Sequence, residues 1–196
     1  NILRASYQLK AFESFDISIR CGNIFYSEAQ VIVNAANTHL GIHGNGGING
    51  AILEKGGRSY KQAHNDLRIH YNGTFQSGWV AEIEITEGQL KELGVSHVYV
   101  LAGPNREGEK DSPSKEEQDQ LYSCYYNSLL LAHQRGVTSI AFPAISTGIY
   151  NFPLAEAAQI SHRAIYDFMT NYPNSSLQTI SIYCGRGSFE HYFPEK

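Results

Sequence analysis

The sequence predicts an α/β domain whose mostly parallel sheet is covered by helices on both faces. Short apolar or β-branched runs alternate with longer amphipathic runs along the chain, and no segment is repeated. The 196 residues match the size of one domain, so we expect a single domain over residues 1–196. Apolar residues make up 42% of the chain and charged residues 17%, a balance that favours a folded core over disorder.

Six segments have the patterns of strands. Residues 15–21 alternate apolar and polar side chains, which is typical of a half-buried strand, and residues 79–86 alternate in the same way. Residues 30–33 form a short β-branched run of the kind found in strands that are covered on both faces. The remaining predicted strands are 97–101, 139–142 and 177–184.

Two long helices and two shorter ones are predicted between these strands. The first long helix begins at a capping box in residues 114–117 and ends at Gly136, with its apolar residues at helical spacing. The second covers residues 154–172 and is ended by a proline. The shorter helical candidates are 50–55 and 58–69, and the polar stretch 106–113 predicts a flexible loop.

Charge and cysteine content narrow the classes of partner. The net charge of −4 argues against general nucleic-acid binding, and no apolar run is long enough to cross a membrane. Cys21, Cys124 and Cys184 are too widely spaced for a disulfide framework or a thiolate zinc site, so we expect free thiols in a reducing, cytoplasmic compartment. Because the chain starts without Met or a signal peptide, we expect a domain taken from a longer protein. We also expect a monomer.

Two glycine-bearing loops follow predicted strands. Residues 41–50 contain five glycines and lead directly into a helix, so their amides can converge on an anion. A second loop, Ser146-Thr147-Gly148, offers hydroxyls and amides beside Tyr150. Neither loop contains Lys or Arg. The two loops therefore predict a cleft that holds a diphosphate through backbone amides, whereas either loop alone is equally compatible with a flexible connection.

Asparagines at the end of a predicted strand add a second kind of binding group. Asn34 and Asn37 follow residues 30–33, where side chains reach the carboxyl edge of the sheet. An amide can both donate to and accept from ribose hydroxyls. Turn formation alone explains one of the two, but the pair favours contact with a sugar.

Four motifs together resemble the macrodomain family. They are VIVNAAN at 31–37, the glycine loop, GPN at 103–105 and AFPAISTGIY at 141–150. The resemblance implies a three-layer α/β/α fold with a mixed, mostly parallel sheet and a cleft for ADP-ribose, with no cofactor and no metal. It implies as partner ADP-ribose or a mono-ADP-ribosylated protein.

Motif matching carries the binding roles of the family onto this chain. Gly46, Gly47 and Ile48 are implied to line the distal ribose and first phosphate, and Asn37 to hold that ribose. The second loop is implied to wrap the diphosphate, and Tyr183 to stack on adenine. The implied ADP-ribose-binding residues are Asn23, Ile24, Asn37, Gly46, Gly47, Ile48, Ser146, Thr147, Gly148, Ile149, Tyr150 and Tyr183.

Two positions depart from the family pattern by replacing a carboxylate with an amide. Asn23 stands where the family commonly has the Asp that accepts from the adenine amino group. Asn49 stands where family hydrolases often have an Asp after the glycine loop, and an amide cannot act as a general base. Asn37 and Asn49 are nevertheless the candidate catalytic residues, since they can orient water. His39 and His43 are candidate helpers, although loop histidines are more often simple donors.

The resemblance implies three functions that share one cleft. The first is hydrolysis of mono-ADP-ribose esters on acidic side chains, with Asn37 orienting the ribose and water. The second is a non-catalytic reader of ADP-ribose or of ADP-ribosylated proteins, which Asn49 favours. The third, weaker alternative is deacetylation of O-acetyl-ADP-ribose. Zinc at His39 and His43 is disfavoured because no acidic or thiol ligand is near, and no acidic pair suggests poly-ADP-ribose cleavage.

Overall fold

The computed structural model describes residues 3–7, 15–42 and 46–192, which form a seven-stranded sheet with helices on both faces. The strands are β1 (Leu3–Tyr7), β2 (Asp16–Cys21), β3 (Val31–Ala36), β4 (Val80–Glu84), β5 (His97–Ala102), β6 (Ser139–Pro143) and β7 (Thr179–Cys184). The helices are α1 (Gly47–Lys55), α2 (Gly57–Tyr71), α3 (Gly88–Glu92), α4 (Lys115–Gln134) and α5 (Leu154–Asn171). Short 3₁₀ helices cover Ile24–Tyr26 and Phe189–Tyr192.

The sheet is parallel in its centre and antiparallel at both edges. Its strand order is β1-β2-β7-β6-β3-β5-β4. The five central strands pair in parallel, whereas β1 pairs antiparallel with β2 and β4 pairs antiparallel with β5. The predicted α/β class with a mixed, mostly parallel sheet is therefore confirmed.

Alternation along the central strands divides the core into two layers. In β3, Val31 and Val33 pack under α4 and α5, while Ile32 and Ala36 face the side that α1, α2 and α3 cover. Residues two apart along a strand share a face, so one strand serves both cores. This arrangement is the three-layer α/β/α fold that the resemblance implies.

The topology places one set of loops at a single edge of the sheet. Because the five central strands are parallel, their carboxyl ends lie together, at Cys21, Ala36, Ala102, Pro143 and Cys184. The chain then leaves β3 for α1 on one face and leaves the neighbouring β6 for α5 on the other face. Loops that diverge in this way open a crevice between adjacent strands.

Several elements differ from the sequence prediction at their ends or in their presence. The sequence patterns do not predict β1 or α3, since β1 is a short edge strand and α3 has only five residues. Helix α1 begins at Gly47 rather than at residue 50, because Gly46 and Gly47 at φ 51° and 60° turn the chain into the helix. None of the helices in the described part of the chain is both long and apolar enough to cross a membrane.

The polar loop 106–113 is a loop, but a buried arginine fixes it to the domain. Arg106 is 1% exposed. Its guanidinium forms ion pairs of 2.9 Å with Glu109 and 2.8 Å with Glu117, and it also donates to the Asp111 carbonyl. Glu117 is the partner of Ser114 in the capping box of α4, so the arginine ties the loop to the start of that helix.

Replacement of Arg106 by Met should lower the free energy of unfolding by about 2–3 kcal/mol, because it leaves the largely buried Glu117 carboxylate without its counter-charge. The measurement is urea unfolding followed by circular dichroism. Lys115→Met is the matched control: it breaks the exposed pair with Asp119 and should cost at most about 0.5 kcal/mol. Equal losses in the two variants would contradict the anchoring role of Arg106.

Candidate functional site

A groove with two connected lobes runs along the carboxyl edge of the sheet. The β2–β7 lobe has a volume of about 610 Å³ and the β3–β6 lobe about 640 Å³. Gly47, Ile48 and Pro143 line both lobes, so the lobes form one continuous surface. The lining is mostly apolar or backbone, which is typical of a small-molecule site with a few polar groups for orientation.

The β2–β7 lobe brings together Asn23, Ile24 and Tyr183 from the predicted set. Tyr183 is buried, and its hydroxyl accepts a 3.3 Å hydrogen bond from the Arg20 guanidinium, which holds the ring at the end of β7. The side-chain carbonyl of Asn23 caps the first 3₁₀ helix by accepting a 2.9 Å hydrogen bond from the Phe25 amide. One lone pair of that carbonyl is therefore already used, and the second lone pair and the amide NH₂ remain for a ligand.

Two cysteines also line the β2–β7 lobe. Cys21 and Cys184 are register partners on adjacent strands, and both are free thiols. Burial raises the pKa of Cys184 to about 11, so its sulfur is a protonated thiol at neutral pH. This surface is consequently apolar and soft, and it suits the face of an aromatic ring.

The β3–β6 lobe begins at the N-terminus of α1. Gly46 is the N-cap residue of this helix, and no side chain caps the helix. The first amides of a helix have no partner within the helix, and the dipole there favours negative charge. The glycine loop therefore presents unpaired donors at the point where the sequence places an anion, although residues 43–45 lie outside the described residues.

Asn37 lines the β3–β6 lobe and also shapes its own loop. Its side-chain oxygen accepts from the amide of His39 at 3.0 Å and from that of Gly41 at 3.5 Å. The oxygen is occupied by the backbone, which fixes the orientation of the amide. The NH₂ end is the part of Asn37 that can meet a ligand.

Asn34 does not reach the groove, and its predicted place beside Asn37 is wrong. It lies within β3 and is fully buried, because the strand continues to Ala36. Its amide nitrogen donates to the Asn49 side-chain oxygen at 2.9 Å and to the Tyr60 hydroxyl at 3.2 Å. Asn34 is thus a support for Asn49, which does line the groove.

This contact continues into a buried polar chain that links β3 to two helices. The Tyr60 hydroxyl lies 3.3 Å from Nδ1 of His64, which is fully buried. Burial lowers the pKa of His64 below 6.5, so the imidazole is neutral and accepts from the hydroxyl. Because the Asn49 oxygen is engaged by Asn34, the Asn49 NH₂ faces the groove as a donor.

The second loop closes the other side of the β3–β6 lobe. Ser146, Gly148, Ile149 and Tyr150 line it, with Ser146 in the left-handed region at φ 64°. Thr147 lines neither lobe; its hydroxyl donates to the Ala144 carbonyl at 2.7 Å and so stabilises the turn. The loop thus offers backbone amides on one side and the Tyr150 ring on the other.

The β3–β6 lobe also contains a carboxylate that is not among the predicted site residues. Glu107 lines the lobe and belongs to the segment that follows β5. Burial and then the nearby charge of Glu107 raise the pKa of the Tyr150 phenol. The sequence signal that could have pointed to Glu107 is its place four residues after Gly103, in the loop that follows a predicted strand.

Of the two predicted histidine helpers, His39 lies within the described residues. His39 is exposed and donates its backbone amide to Asn37, and it does not line either lobe. His43 lies outside the described residues. Within those residues, no group of three or more His, Cys, Asp or Glu side chains is placed to hold a metal ion.

The sequence model of the macro domain family matches residues 33–161, which include the glycine loop, the 103–105 segment and the 146–150 loop. The chain belongs to the macro domain family. An O-acetyl-ADP-ribose deacetylase of Cronobacter sakazakii is 39% identical over 158 residues, which are 80% of this chain and 81% of that protein. An uncharacterised protein of Thermotoga maritima is 39% identical over 166 residues; the match covers 85% of this chain but only 26% of that protein.

Solved macrodomains share the fold over almost the whole chain. The Oceanobacillus iheyensis macrodomain with ADP superimposes with a TM-score of 0.81 at 26% identity and covers 98% of this chain and 94% of its own. The Trypanosoma brucei macrodomain in complex with ADP-ribose has a TM-score of 0.66 at 28% identity. The match covers 90% of this chain and 67% of that one.

The stability of this macro domain should fall as the pH is lowered through 6.5, because the unfolded chain binds a proton at His64 that the folded state resists. The stabilising contribution of neutral His64 is complete above pH 6.5 and is lost below it. Urea unfolding between pH 5 and 8 should show a smaller slope for His64→Gln. His162, whose pKa is also lowered by burial, keeps part of the slope in the variant. An unchanged slope would refute the assignment to His64.

Gly103→Ala should destabilise the domain by about 1–3 kcal/mol, since a Cβ there would lie 2.7 Å from Ile145 Cγ2 and closer still to Ser146 Oγ. Thermal unfolding measures the loss. Gly148→Ala is the matched control on the same lobe, because a Cβ at that position meets open space. The prediction fails if both alanines have equal effects.

Proposed function

We propose that this macro domain binds ADP-ribose in the groove and hydrolyses mono-ADP-ribose esters on acidic side chains. The observation that carries the proposal is the joining of a ring-sized apolar lobe to a second lobe framed by two glycine-bearing loops. ADP-ribose has a flat base, a diphosphate and a hydroxyl-rich distal ribose in the same order along the molecule. Solved relatives hold ADP or ADP-ribose.

Binding of the nucleoside end would use the β2–β7 lobe. The adenine would lie against Tyr183 and the apolar Cys21–Cys184 surface, with Asn23 as the polar group at its edge. Asn23 replaces a charged acceptor with a neutral one, and its carbonyl also serves the 3₁₀ helix. Recognition of the base amino group therefore lacks the charge-assisted part.

Binding of the diphosphate would use backbone amides instead of cationic side chains. No Lys or Arg is among the described residues that line the β3–β6 lobe. The free amides at the N-terminus of α1 and those of the 146–150 loop provide the donors, as in other helix-terminal anion sites. The distal ribose would then meet the NH₂ groups of Asn37 and Asn49.

The two asparagines can orient the reaction but cannot take a proton. Both oxygens are engaged, that of Asn37 by its loop and that of Asn49 by Asn34, so both side chains act as donors. Donors of this kind fix the ribose hydroxyls and hold the scissile bond in one geometry. Deprotonation of water must come from another group.

Deacetylation of O-acetyl-ADP-ribose is the second candidate function. It is favoured by the name of relatives from Cronobacter sakazakii and Escherichia fergusonii, which are 39% and 40% identical to this chain. It uses the same groove and the same ADP-ribose contacts, and it differs only in the ester that is cleaved. The reader hypothesis keeps the binding and omits the turnover.

Calorimetry with ADP-ribose and release of labelled ADP-ribose from a protein modified on Glu test the proposal together. We expect micromolar binding and measurable release, and Asn37→Ala should reduce release by about 10²-fold through loss of orientation. O-acetyl-ADP-ribose, offered in parallel, ranks the two ester classes. Binding without release of either group would favour the reader, and absence of binding would reject the proposal.

Asn49→Asp should keep the hydrogen bond from Asn34 and increase the release of ADP-ribose, because a carboxylate can accept a proton from water and an amide cannot. One carboxylate oxygen can still accept from the Asn34 amide, while the other faces the groove in place of the NH₂ group. The same release assay measures the gain, and Asn49→Ala is the control for loss of the side chain. A decrease in Asn49→Asp with unchanged ADP-ribose affinity would contradict the expected gain.

A further inference from the structure

We propose that Glu107 is the general base of this domain: its carboxylate takes a proton from the water that attacks the anomeric carbon of the bound ester. The inference rests on the proposed hydrolysis and assigns to it a residue that the family motifs do not contain. It answers the question left by Asn49, namely where the missing carboxylate function resides.

Glu107 shares the β3–β6 lobe with the groups that would hold the distal ribose. Asn37, Asn49 and Gly46 line the lobe together with Glu107 and Tyr150. Among the described residues that line this lobe, Glu107 is the one carboxylate. A general base must lie within reach of the water that attacks the substrate, and Glu107 belongs to the lining of the lobe in which that water would lie.

The backbone of Glu107 is held in position on both sides. Its amide donates to the Asn105 side-chain oxygen at 2.9 Å. The preceding residue, Arg106, is buried, and its amide donates to the Tyr150 carbonyl at 2.8 Å. Asn151 also donates from its side chain to the Glu109 carbonyl at 3.0 Å. The segment that carries Glu107 is therefore fastened to the loop that would wrap the diphosphate.

Charge favours a role in turnover over a role in binding. The ligand is a diphosphate that the lobe holds by neutral amides, so an added carboxylate opposes binding of the anion. Cleavage at an anomeric carbon instead develops positive charge on the sugar. A negative group in the lobe thus stabilises the transition state relative to the bound ground state, which is the condition for accelerating a reaction.

The step balances without any further reactant. The water oxygen forms a bond to the anomeric carbon while its proton passes to the Glu107 carboxylate. The bond between that carbon and the acyl oxygen breaks, and its electron pair leaves with the side-chain carboxylate of the modified protein. Because a carboxylate is a good leaving group, no general acid is required. Glu107 then returns its proton to solvent.

Glu107→Gln tests the assignment because it keeps the size of the side chain and removes its basicity. Release of ADP-ribose from a Glu-modified protein should fall by about 10²- to 10⁴-fold. The dissociation constant for ADP-ribose, measured by calorimetry, should stay equal or decrease, since a repulsive charge has gone. Glu92→Gln, an exposed acid on α3, is the control with the same change of net charge and should retain full release.

Chemical rescue separates a base from a group that only positions the loop. Release by Glu107→Ala should be partly restored by added formate, which can occupy the vacated space as a small base. Formate should not restore Asn37→Ala. Failure of formate to restore Glu107→Ala would overturn the base assignment, as would a Glu107→Gln variant within about threefold of the wild-type rate.

The wild-type measurements distinguish this inference from the proposed function. A wild-type domain that binds ADP-ribose and releases none from either ester overturns the base assignment and leaves binding intact. Absence of ADP-ribose binding overturns both. Loss of ADP-ribose binding in Glu107→Gln would also overturn the base assignment, because the carboxylate would then be a binding or structural group.

Discussion

The parallel direction of the five central strands is the constraint on which the site depends. It brings the carboxyl ends of β2, β7, β6, β3 and β5 to one edge, and segments far apart in the chain meet there. The glycine loop after β3 and the loop after the adjacent β6 then leave toward opposite faces and leave the ends of these two strands uncovered. The groove is the space that this divergence opens, and its two walls are therefore fixed by the sheet.

Two separate polar networks stabilise the groove, one beneath it and one at its rim. The buried chain from His64 through Tyr60 and Asn34 sets the direction of the Asn49 amide from below. At the rim, Arg106 anchors the segment that bears Glu107 and fastens it to the 146–150 loop. Each support rests on buried side chains, Asn34, Tyr60 and His64 in the first and Arg106 in the second, so the polar atoms facing the groove have few alternative positions.

The fold and most of the groove could be predicted from the sequence, because periodicity and glycine-rich loops are local signals. The predicted strands 97–101 and 139–142 lie within β5 and β6, and family membership is confirmed. Tertiary contacts decided the rest. Asn34 belongs to the interior because β3 is longer than its apolar run, and Glu107 faces the groove because buried Arg106 fixes its segment. Neither contact leaves a periodic trace in the chain.

The glycine conformations at the start of α1 have a consequence for how such a site can be lost. Anion-binding amides that belong to the main chain are present with every side chain except that of proline, which has no N–H. Any other replacement removes them only by changing the backbone path, and Gly46 and Gly47, both at positive φ, are where a side chain would impose such a change. This wall of the groove therefore depends on a backbone conformation, and Gly46 and Gly47 are the residues that permit it.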